Sequence, residues 1–358
     1  MNTICINKYK KAHSPVSKEI FINGQAEVAI ARRVTLHIAK HAGFSQRRCA
    51  QASIIVSEIG TNLVKHTKGG LLKINLSFLN HIPFLTIAGL DKGPGIASIK
   101  RAMLDGVSGI NSLGTGLGAV YRLSNKVAIC SKEDIERPCP YVFDDENFWN
   151  TVLVCQLWDE RNPLPLVSDR IDFSCLLEAM EGNSICGDAV HVASTPFYTR
   201  FILMDGLGRG NGAAEAVCRA IKVLDGIPSE MQLEYVVDIL ESPLSNTQGA
   251  ALLMLRVDLK YKKLQIYGTG SVKLILGLDS HLYYFLHFSD FLNFKTPIDI
   301  SSYRSLFAVI YTDGVGNLPL FNSHDVSKDI SSLIWNQLLF RHRNIKDDAS
   351  MLVIKWKI

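Results

Sequence analysis

The sequence lacks any apolar run as long as the roughly 18–20 residues that a membrane-spanning helix requires. Its most apolar stretches, such as Leu306 to Tyr311, have only the length of a strand. The first residues, MNTICINKYKKAHSP, contain neither an apolar segment after the basic residues nor a small-residue cleavage site, so they do not resemble a secretory signal. These absences predict a cytoplasmic protein with no membrane partner.

Strong charge and paired cysteines are also absent. Lys and Arg number 38 and Asp and Glu number 34, which gives a formal net charge of +4. This imbalance is too small to indicate a nucleic-acid partner. The eight cysteines are scattered, and no two of them form the C-x-x-C pair of a common zinc site. We therefore expect reduced thiols, no structural zinc and no nucleic acid.

The sequence does contain enough apolar material for a large core. Hydrophobic residues make up 47% and charged residues 20% of the 358 residues, as is ordinary for a globular chain. Since one domain takes roughly 150 residues, this length predicts two. Residues 161–169, with Pro163 and Pro165, are typical of a linker. Helix-like and strand-like segments mix on both sides without an internal repeat, so we predict two different α+β domains, residues 1–160 and 170–358.

A first candidate site begins on a predicted helix that Ser45 caps and that extends to about Lys65. Glu58 and Asn62 are four residues apart there, so their side chains project from one face of the helix. A carboxylate and an amide oxygen in this arrangement can share a magnesium ion whose remaining ligands are water and phosphate. A solvated pair on an exposed helix face is the alternative interpretation.

Two glycine-rich segments follow the helix. The strand Phe84 to Leu90 leads into Asp91-Lys92-Gly93-Pro94-Gly95, where the carboxylate can accept a hydrogen bond from an exocyclic amine such as that of adenine. The same residues also suit a plain turn. Further along, Gly114-Thr115-Gly116-Leu117-Gly118 opens a predicted helix, whose backbone N–H groups can hold phosphates.

The order E-x-x-x-N, D-x-G-P-G-I and G-T-G-L-G resembles the Bergerat fold of the GHKL ATPases and kinases. It is most similar to the anti-sigma-factor serine/threonine kinases of bacterial partner switching, over residues 20 to 158. The resemblance implies an α/β sandwich that binds ATP and Mg²⁺, with Asn62 as the metal ligand, Glu58 orienting the attacking hydroxyl or water, and Asp91 binding adenine. It also implies that base and phosphates are lined by Gly93, Gly95, Gly114, Gly116 and Gly118.

A second candidate site consists of aspartates at the ends of strand-like or loop segments in the C-terminal half. They occur in Gly187-Asp188, in Asp205-Gly206 after FILM, in Asp313-Gly314 after AVIYT, and in Asp347-Asp348 before SMLVIKW with one residue between. Several such strand ends at one rim would give an oxygen-only site for magnesium or manganese. Two such ions can share a hydroxide that attacks a phosphoester. Each Asp-Gly is also ordinary turn chemistry.

In this order the aspartates resemble those of the metal-dependent PPM serine/threonine phosphatases, with the bacterial sporulation and stress-response phosphatases as the most similar branch. The resemblance spans residues 170 to 358 and implies a β-sandwich flanked by helices. It implies two Mn²⁺ or Mg²⁺ ions, and of the last two aspartates we favour Asp347 as the ligand. The implied ligands are Asp188, Asp205, the carbonyl of Gly206, Asp313, Asp347 and Asp348. Arg209 and Gln248 depart from the pattern of that family.

Together the resemblances imply a bacterial partner-switching regulator. The C-terminal half is expected to dephosphorylate serine or threonine on a small antagonist-type protein, with a sigma factor or another switch protein as a further partner. The N-terminal half is expected either to phosphorylate the same class of protein or to act as a non-catalytic ATP sensor or protein-binding module. A binding switch in which neither site turns over is the non-enzymatic alternative. The sequence indicates no oligomeric state.

Overall fold

The first half of the chain forms one antiparallel five-stranded sheet, sheet 1. The computed structural model describes residues 14–103, 116–134, 149–285, 296–319, 321 and 330–358. Sheet 1 has the strand order β1-β2-β3-β5-β4. Its strands are β1 (Val16–Ile22), β2 (Gly70–Leu79), β3 (Ile82–Asp91), β4 (Lys126–Ser131) and β5 (Thr151–Trp158).

Helices cover one face of sheet 1. The helices of this half are α1 (Gln25–His41), α2 (Gln46–His66), the short α3 (Ile99–Ala102) and α4 (Gly116–Leu123). Ser45 caps α2 as predicted, because its hydroxyl accepts the backbone N–H of Arg48 at 3.3 Å. Apolar residues of α1, α2 and α4 pack on Leu85, Ile87 and neighbouring side chains of the sheet. The result is an α/β sandwich.

The second half is built from two further antiparallel sheets packed face to face. Sheet 2 has the order β13-β10-β9-β8-β7 and sheet 3 the order β12-β11-β14-β15-β6. The strands of sheet 2 are β7 (Asp188–Ser194), β8 (Tyr198–Gly206), β9 (Ala250–Asp258), β10 (Lys263–Thr269) and β13 (Ile298–Asp299). Those of sheet 3 are β6 (Ile171–Glu178), β11 (Lys273–Leu278), β12 (His281–Phe285), β14 (Ser305–Tyr311) and β15 (Ala349–Lys357).

Alternating side chains of the two sheets form the core between them, with Phe201 and Leu253 on one side and Ile310 and Leu352 on the other. The opposite face of sheet 2 is covered by α5 (Asn211–Leu224) and α6 (Leu233–Ser245). Helix α7 (Ser332–Leu339), continued by a 3₁₀ turn at Phe340–His342, lies on the outer face of sheet 3. The predicted α+β class, with an α/β sandwich followed by a β-sandwich flanked by helices, is confirmed.

The two halves share a core. Ala88 and Val154, on the face of sheet 1 away from its helices, belong to the same buried cluster as Trp335 of α7 and Val309 of sheet 3. All eight residues of α7 are buried, since the helix lies between sheets 1 and 3. Sheet 1 is therefore covered on both faces, which accounts for the nearly continuous hydrophobic sequence of strands such as β5.

Polar contacts also join the halves. Lys126 of β4 forms an ion pair with Asp172 of β6 and donates to the carbonyl oxygen of Phe173 at 2.6 Å. At the turn between β2 and β3, the Asn80 side chain donates to Val192 O at 2.7 Å and accepts from Val192 N at 2.8 Å. Asn80 thus covers part of the edge strand β7, which protects this edge from pairing elsewhere.

Two further findings bear on the sequence-based expectations. Among the described residues, five cysteines are free thiols, namely Cys49, Cys155, Cys175, Cys186 and Cys218, whereas Cys130 is disulfide-bonded, so the expectation of a fully reduced set is corrected at that position. Among the described residues, no helix combines the length and the hydropathy needed to cross a membrane.

Candidate nucleotide and metal sites

Asp91 lies at the end of β3, buried beneath the glycine turn that follows. Its Oδ1 accepts the backbone N–H of Gly93 at 2.8 Å, and Thr151 on the neighbouring strand β5 also hydrogen-bonds its side chain. Burial raises the pKa of Asp91 even though these two hydrogen bonds oppose the shift. A Cβ atom on Gly93 would stand 2.9 Å from Asp91 Oδ1 and 2.6 Å from Thr67 Cγ2, so only glycine fits without displacement.

Glu58 and Asn62 meet the start of α4. A Cβ atom on Gly116 would stand 2.9 Å from Glu58 Oε2 and 3.6 Å from Asn62 Oδ1. The fold therefore brings both side chains of α2 against the N-terminal end of a helix whose first turn belongs to the G-T-G-L-G segment. Carboxylate and amide oxygens beside free helical N–H groups can bind magnesium and phosphate together.

The turn after Asp91 is fixed by Gly95, which the sequence indicated, and by Ser131 and Asn150, which it did not. Gly95 has φ of +81°, a backbone conformation that favours glycine. The N–H of Ile96 donates to Ser131 Oγ at 2.7 Å, and the Asn150 side chain donates to the carbonyl oxygen of Gly93 at 2.7 Å. Thr151 could have been found from its position at the start of the last strand, directly opposite Asp91 in the sheet.

Two further glycines were predicted to line the nucleotide site. Gly118 is buried in α4. Gly114 lies outside the described residues, as does most of the acidic insert before β5. The N-terminal site residues that the structure brings together are Glu58, Asn62, Gly116 and, at the neighbouring strand end, Asp91, Gly93 and Gly95.

In the second half, Asp188 and Asp205 are direct partners across β7 and β8. Asp188 is buried, its Oδ2 accepts the Thr312 hydroxyl at 2.9 Å, and its Oδ1 finds no donor among the described residues. Burial and the neighbouring Asp205 raise the pKa of Asp188 well above its usual value. For Asp205, burial and the carboxylate of Asp313 raise the pKa to about 6.

The other predicted ligands surround this pair. The Gly206 N–H donates to Gly187 O at 3.0 Å, while Ala213 of α5 packs so closely that a Cβ on Gly206 would stand 2.3 Å from its carbonyl oxygen. Asp313 is exposed, two residues after the end of β14, and its negative charge helps to raise the pKa of Asp205. A Cβ on Gly314 would collide with the backbone of Asp348. Glycines thus let these strand ends approach one another.

Asp347 and Asp348 differ in their contacts. Asp348 uses both carboxylate oxygens on backbone donors, with Oδ1 accepting Met180 N at 2.7 Å and Oδ2 accepting Gly187 N at 2.6 Å. Asp347 accepts only the adjacent N–H of Asp348, at 3.0 Å, among the described residues, and its charge contributes to the raised pKa of Asp205. The arrangement leaves Asp347 the freer of the two carboxylates.

The donor set suits a hard divalent cation. The pair consists of the buried Asp188 and the half-buried Asp205, both with raised pKa values, and Asp188 Oδ1 has no donor among the described residues, so a positive charge would stabilise the pair. Oxygen donors are those that Mg²⁺ and Mn²⁺ prefer. Within the described ranges, no three His, Cys, Asp or Glu side chains already form a closed metal-binding group. Thr312 and Ser271, whose hydroxyl donates to Asp205 Oδ2 at 3.1 Å, were missed from the sequence.

The chain was compared with known proteins. No protein-family model matches it. Among solved structures it is similar to RsbX in complex with magnesium, with 22% identity, 54% of this chain and 98% of that chain covered, and a TM-score of 0.45. It is also similar to the PP2C phosphatase domain with a regulatory-domain fragment of SpoIIE from Bacillus subtilis, with 14% identity. That match covers 93% of this chain and 94% of the SpoIIE chain, with a TM-score of 0.42.

A curated relative matches part of the sequence. It is the serine/threonine-protein kinase RsbT of Bacillus subtilis (strain 168), which is 30% identical over 105 residues. These residues are 29% of this chain and 79% of the relative. The chain therefore belongs, through this segment, to the family of the serine/threonine-protein kinase RsbT.

Proposed function

We propose that the chain is a partner-switching enzyme whose C-terminal half dephosphorylates serine or threonine on a small antagonist-type protein. The observation that carries this proposal is the pair formed by the buried Asp188 and the half-buried Asp205, two cross-strand carboxylates whose pKa values are both raised. Such a pair binds a proton or a divalent cation more readily than isolated surface carboxylates do. We also propose that this reaction takes place in the cytoplasm.

In this proposal, Asp188, Asp205, the Gly206 carbonyl, Asp313 and Asp347 hold two Mn²⁺ or Mg²⁺ ions. When bound, the ions supply an activated hydroxide and neutralise charge on the phosphoryl group. The chain contributes orientation, because Thr312 fixes Oδ2 of Asp188 and Ser271 fixes Oδ2 of Asp205. Asp348 accepts the backbone N–H groups of Met180 and Gly187 and so links these two segments.

For the N-terminal half we propose Mg-ATP binding, with Asn62 on the metal, Asp91 on adenine and Glu58 beside the transferred phosphoryl group. The membership of the RsbT kinase family supports transfer to a serine or threonine of the same class of protein. Glu58 would then hold the attacking hydroxyl in line and accept its hydrogen bond. A sigma factor or another switch protein would respond to the phosphorylation state of the antagonist.

The phosphatase proposal is tested by following manganese-dependent release of phosphate from a phosphoserine peptide. We expect Asp205→Asn to lose roughly 100-fold or more in rate, because one of the carboxylates that would hold the ions is replaced by a neutral amide. Asp238→Asn, an exposed aspartate on α6, serves as the matched control and should keep the full rate. Absence of hydrolysis by the unmodified protein with any divalent metal would favour a non-enzymatic switch.

The kinase proposal requires a separate assay. Labelled ATP is incubated with the protein and a candidate antagonist protein, with Glu58→Gln as the comparison. We expect transfer by the unmodified chain and loss of transfer, with ATP binding retained, in the variant. ATP binding without transfer by the unmodified chain would instead identify the N-terminal half as an ATP sensor.

A further inference from the structure

A groove of about 570 Å³ lies where the two halves meet. One wall is formed by residues 14–19, which include the start of β1 in the first half. The other walls are formed by residues 178–184 and by the segment 343–349, including Asp347. We call this space the interdomain groove. It connects a strand of the ATP-binding half directly to a predicted metal ligand of the other half.

The wall from the first half includes β1, the outer strand of sheet 1. Strand β1 pairs with β2 on one side, and no described strand pairs with its other side. Six consecutive residues, 14–19, line the groove, as a strand edge does, whereas a strand face would present every second residue. An exposed strand edge offers backbone N–H and C=O groups to an extended peptide.

Ion pairs of Arg343 connect the walls of the groove. Arg343 contacts Glu19 of β1 at 3.1 Å and also pairs with Glu178 at the end of β6. Its backbone forms a bridge to Val315, two residues after Asp313. These contacts give the edge of β1 a fixed position relative to the predicted metal ligands.

The charge of the groove selects among peptides. Four carboxylates line it, those of Glu19, Glu178, Glu181 and Asp347, against two basic side chains, Lys18 and Arg343. Glu19 is already paired with Lys73 and Arg343, and Glu178 with Arg343, so the carboxylates of the groove outside these ion pairs are Glu181 and Asp347, beside the exposed Lys18. Glu181 is exposed on the wall formed by residues 178–184. A peptide with basic residues beside its phosphorylated residue complements these charges.

We propose that the interdomain groove binds an extended segment of the phosphoprotein substrate as an added strand along β1. The phosphorylated serine or threonine reaches the carboxylates at Asp347, and flanking basic residues face Glu181. This inference rests on the proposed phosphatase function and adds to it that the ATP-binding half supplies part of the substrate-binding surface. Selection of the substrate protein is then a joint property of both halves.

The charge part is tested with synthetic peptides that carry one central phosphoserine and differ only in lysine or glutamate flanks. We expect kcat/KM to be about tenfold higher for the lysine-flanked peptide. Glu181→Lys should abolish or reverse that preference, while the control Glu241→Lys, exposed on α6, should leave it unchanged. Equal preferences in the unmodified protein and in Glu181→Lys would overturn the proposal.

The strand-pairing part is tested on the peptide, so the fold of the protein is not disturbed. N-methylation of alternate backbone amides removes every donor along one edge of an extended peptide. One of the two alternate methylation patterns should raise KM about tenfold and the other should leave it nearly unchanged. Equal effects of both patterns, or no effect of either, would overturn strand addition along β1.

Failure of the inference and failure of the proposed function are distinguished with p-nitrophenyl phosphate, which is too small to contact β1. Hydrolysis of this compound with manganese establishes the phosphatase chemistry on its own. If the compound is hydrolysed but the peptides show no dependence on flanks or methylation, the groove proposal is wrong. If neither is hydrolysed, both proposals fail together.

Discussion

At the scale of single residues, adjacent aspartates illustrate how contacts divide roles between identical side chains. Both oxygens of Asp348 are taken by backbone N–H groups, whereas Asp347 lines the interdomain groove. Each carboxylate oxygen has two lone pairs, and a backbone N–H already uses one of them on each oxygen of Asp348, so Asp348 is less available to a cation than Asp347. We therefore assign the metal-binding role to Asp347 and a structural role to Asp348.

This assignment predicts opposite phenotypes for two alanine variants. Asp348→Ala leaves two N–H groups without an acceptor, so the free energy of unfolding should fall by about 2–5 kcal/mol. Asp347→Ala should unfold at nearly the temperature of the unmodified protein but lose manganese-dependent hydrolysis. Thermal unfolding by circular dichroism and a phosphate-release assay measure the two effects. A stable but inactive Asp348→Ala, with an active Asp347→Ala, would reverse the assignment.

Asp91 gives a prediction about pH. Because burial raises its pKa, this carboxylate takes up a proton at a higher pH than an exposed aspartate, whose pKa is about 3.9. The protonated form accepts hydrogen bonds poorly, so ATP affinity should fall as the pH is lowered toward the raised pKa.

The measurement is the dissociation constant of a fluorescent ATP analogue as a function of pH. Asp91→Asn should bind at least about tenfold more weakly at neutral pH, since an amide presents only one acceptor and a competing donor. Asp205→Asn, in the other half, should bind like the unmodified protein. An unchanged affinity in Asp91→Asn would contradict the adenine-binding role.

At the scale of elements, α7 connects the two halves. Trp335 is fully buried in it, with ring centroids 5.4 Å from Phe307 of β14 and 5.8 Å from Phe321. The helix also contacts β4 and β5 of sheet 1 as well as β6 and β15 of sheet 3. An element of eight residues therefore completes the core of both halves, and its loss should destabilise both.

Trp335→Ala should lower the free energy of unfolding by about 3–5 kcal/mol, the usual cost of truncating a large buried aromatic residue. Trp335→Phe, which keeps a ring in the same place, should cost clearly less. Denaturant unfolding followed by circular dichroism provides the values, with ATP binding and phosphate release measured below the transition. Loss of only one of the two activities, ATP binding or phosphate release, would argue against a shared core.

At the scale of the whole molecule, an ion pair between the halves connects stability to pH. Although burial opposes its ionisation, Lys126 and the backbone and side chain of Ser332 hold the pKa of Asp172 below its usual value. A group with a lowered folded-state pKa stabilises the fold above its unfolded pKa of about 3.9. That contribution is lost as the pH falls through the lower, folded-state pKa.

Acidification from about pH 5 to about pH 3 should therefore reduce the free energy of unfolding more in the unmodified protein than in Asp172→Asn. Urea unfolding at each pH gives the comparison. Asp238→Asn, an exposed variant on α6, should follow the unmodified protein. Parallel pH dependence in the unmodified protein and in Asp172→Asn would show that the contact between the halves does not respond to this carboxylate.

Local patterns in the sequence determined much of the fold. The Ser45 cap predicted α2, the second glycine-rich segment predicted α4, and apolar runs predicted strands such as β3 and β14. These signals depend on neighbours within a few residues, so the sequence contains them directly. The order of the glycine and aspartate motifs likewise indicated both candidate sites.

Strand β1, the sharing of the core and the groove were decided only by the tertiary structure. The charged residues of β1 obscure its pattern, yet Glu19 pairs with Lys73 on the next strand and with Arg343 from the far end of the chain. Likewise, only the approach of residues 180 and 187 distinguishes Asp348 from Asp347. Apart from the pair Glu19–Lys73, these contacts join positions more than a hundred residues apart, and no local pattern of residues specifies such distances.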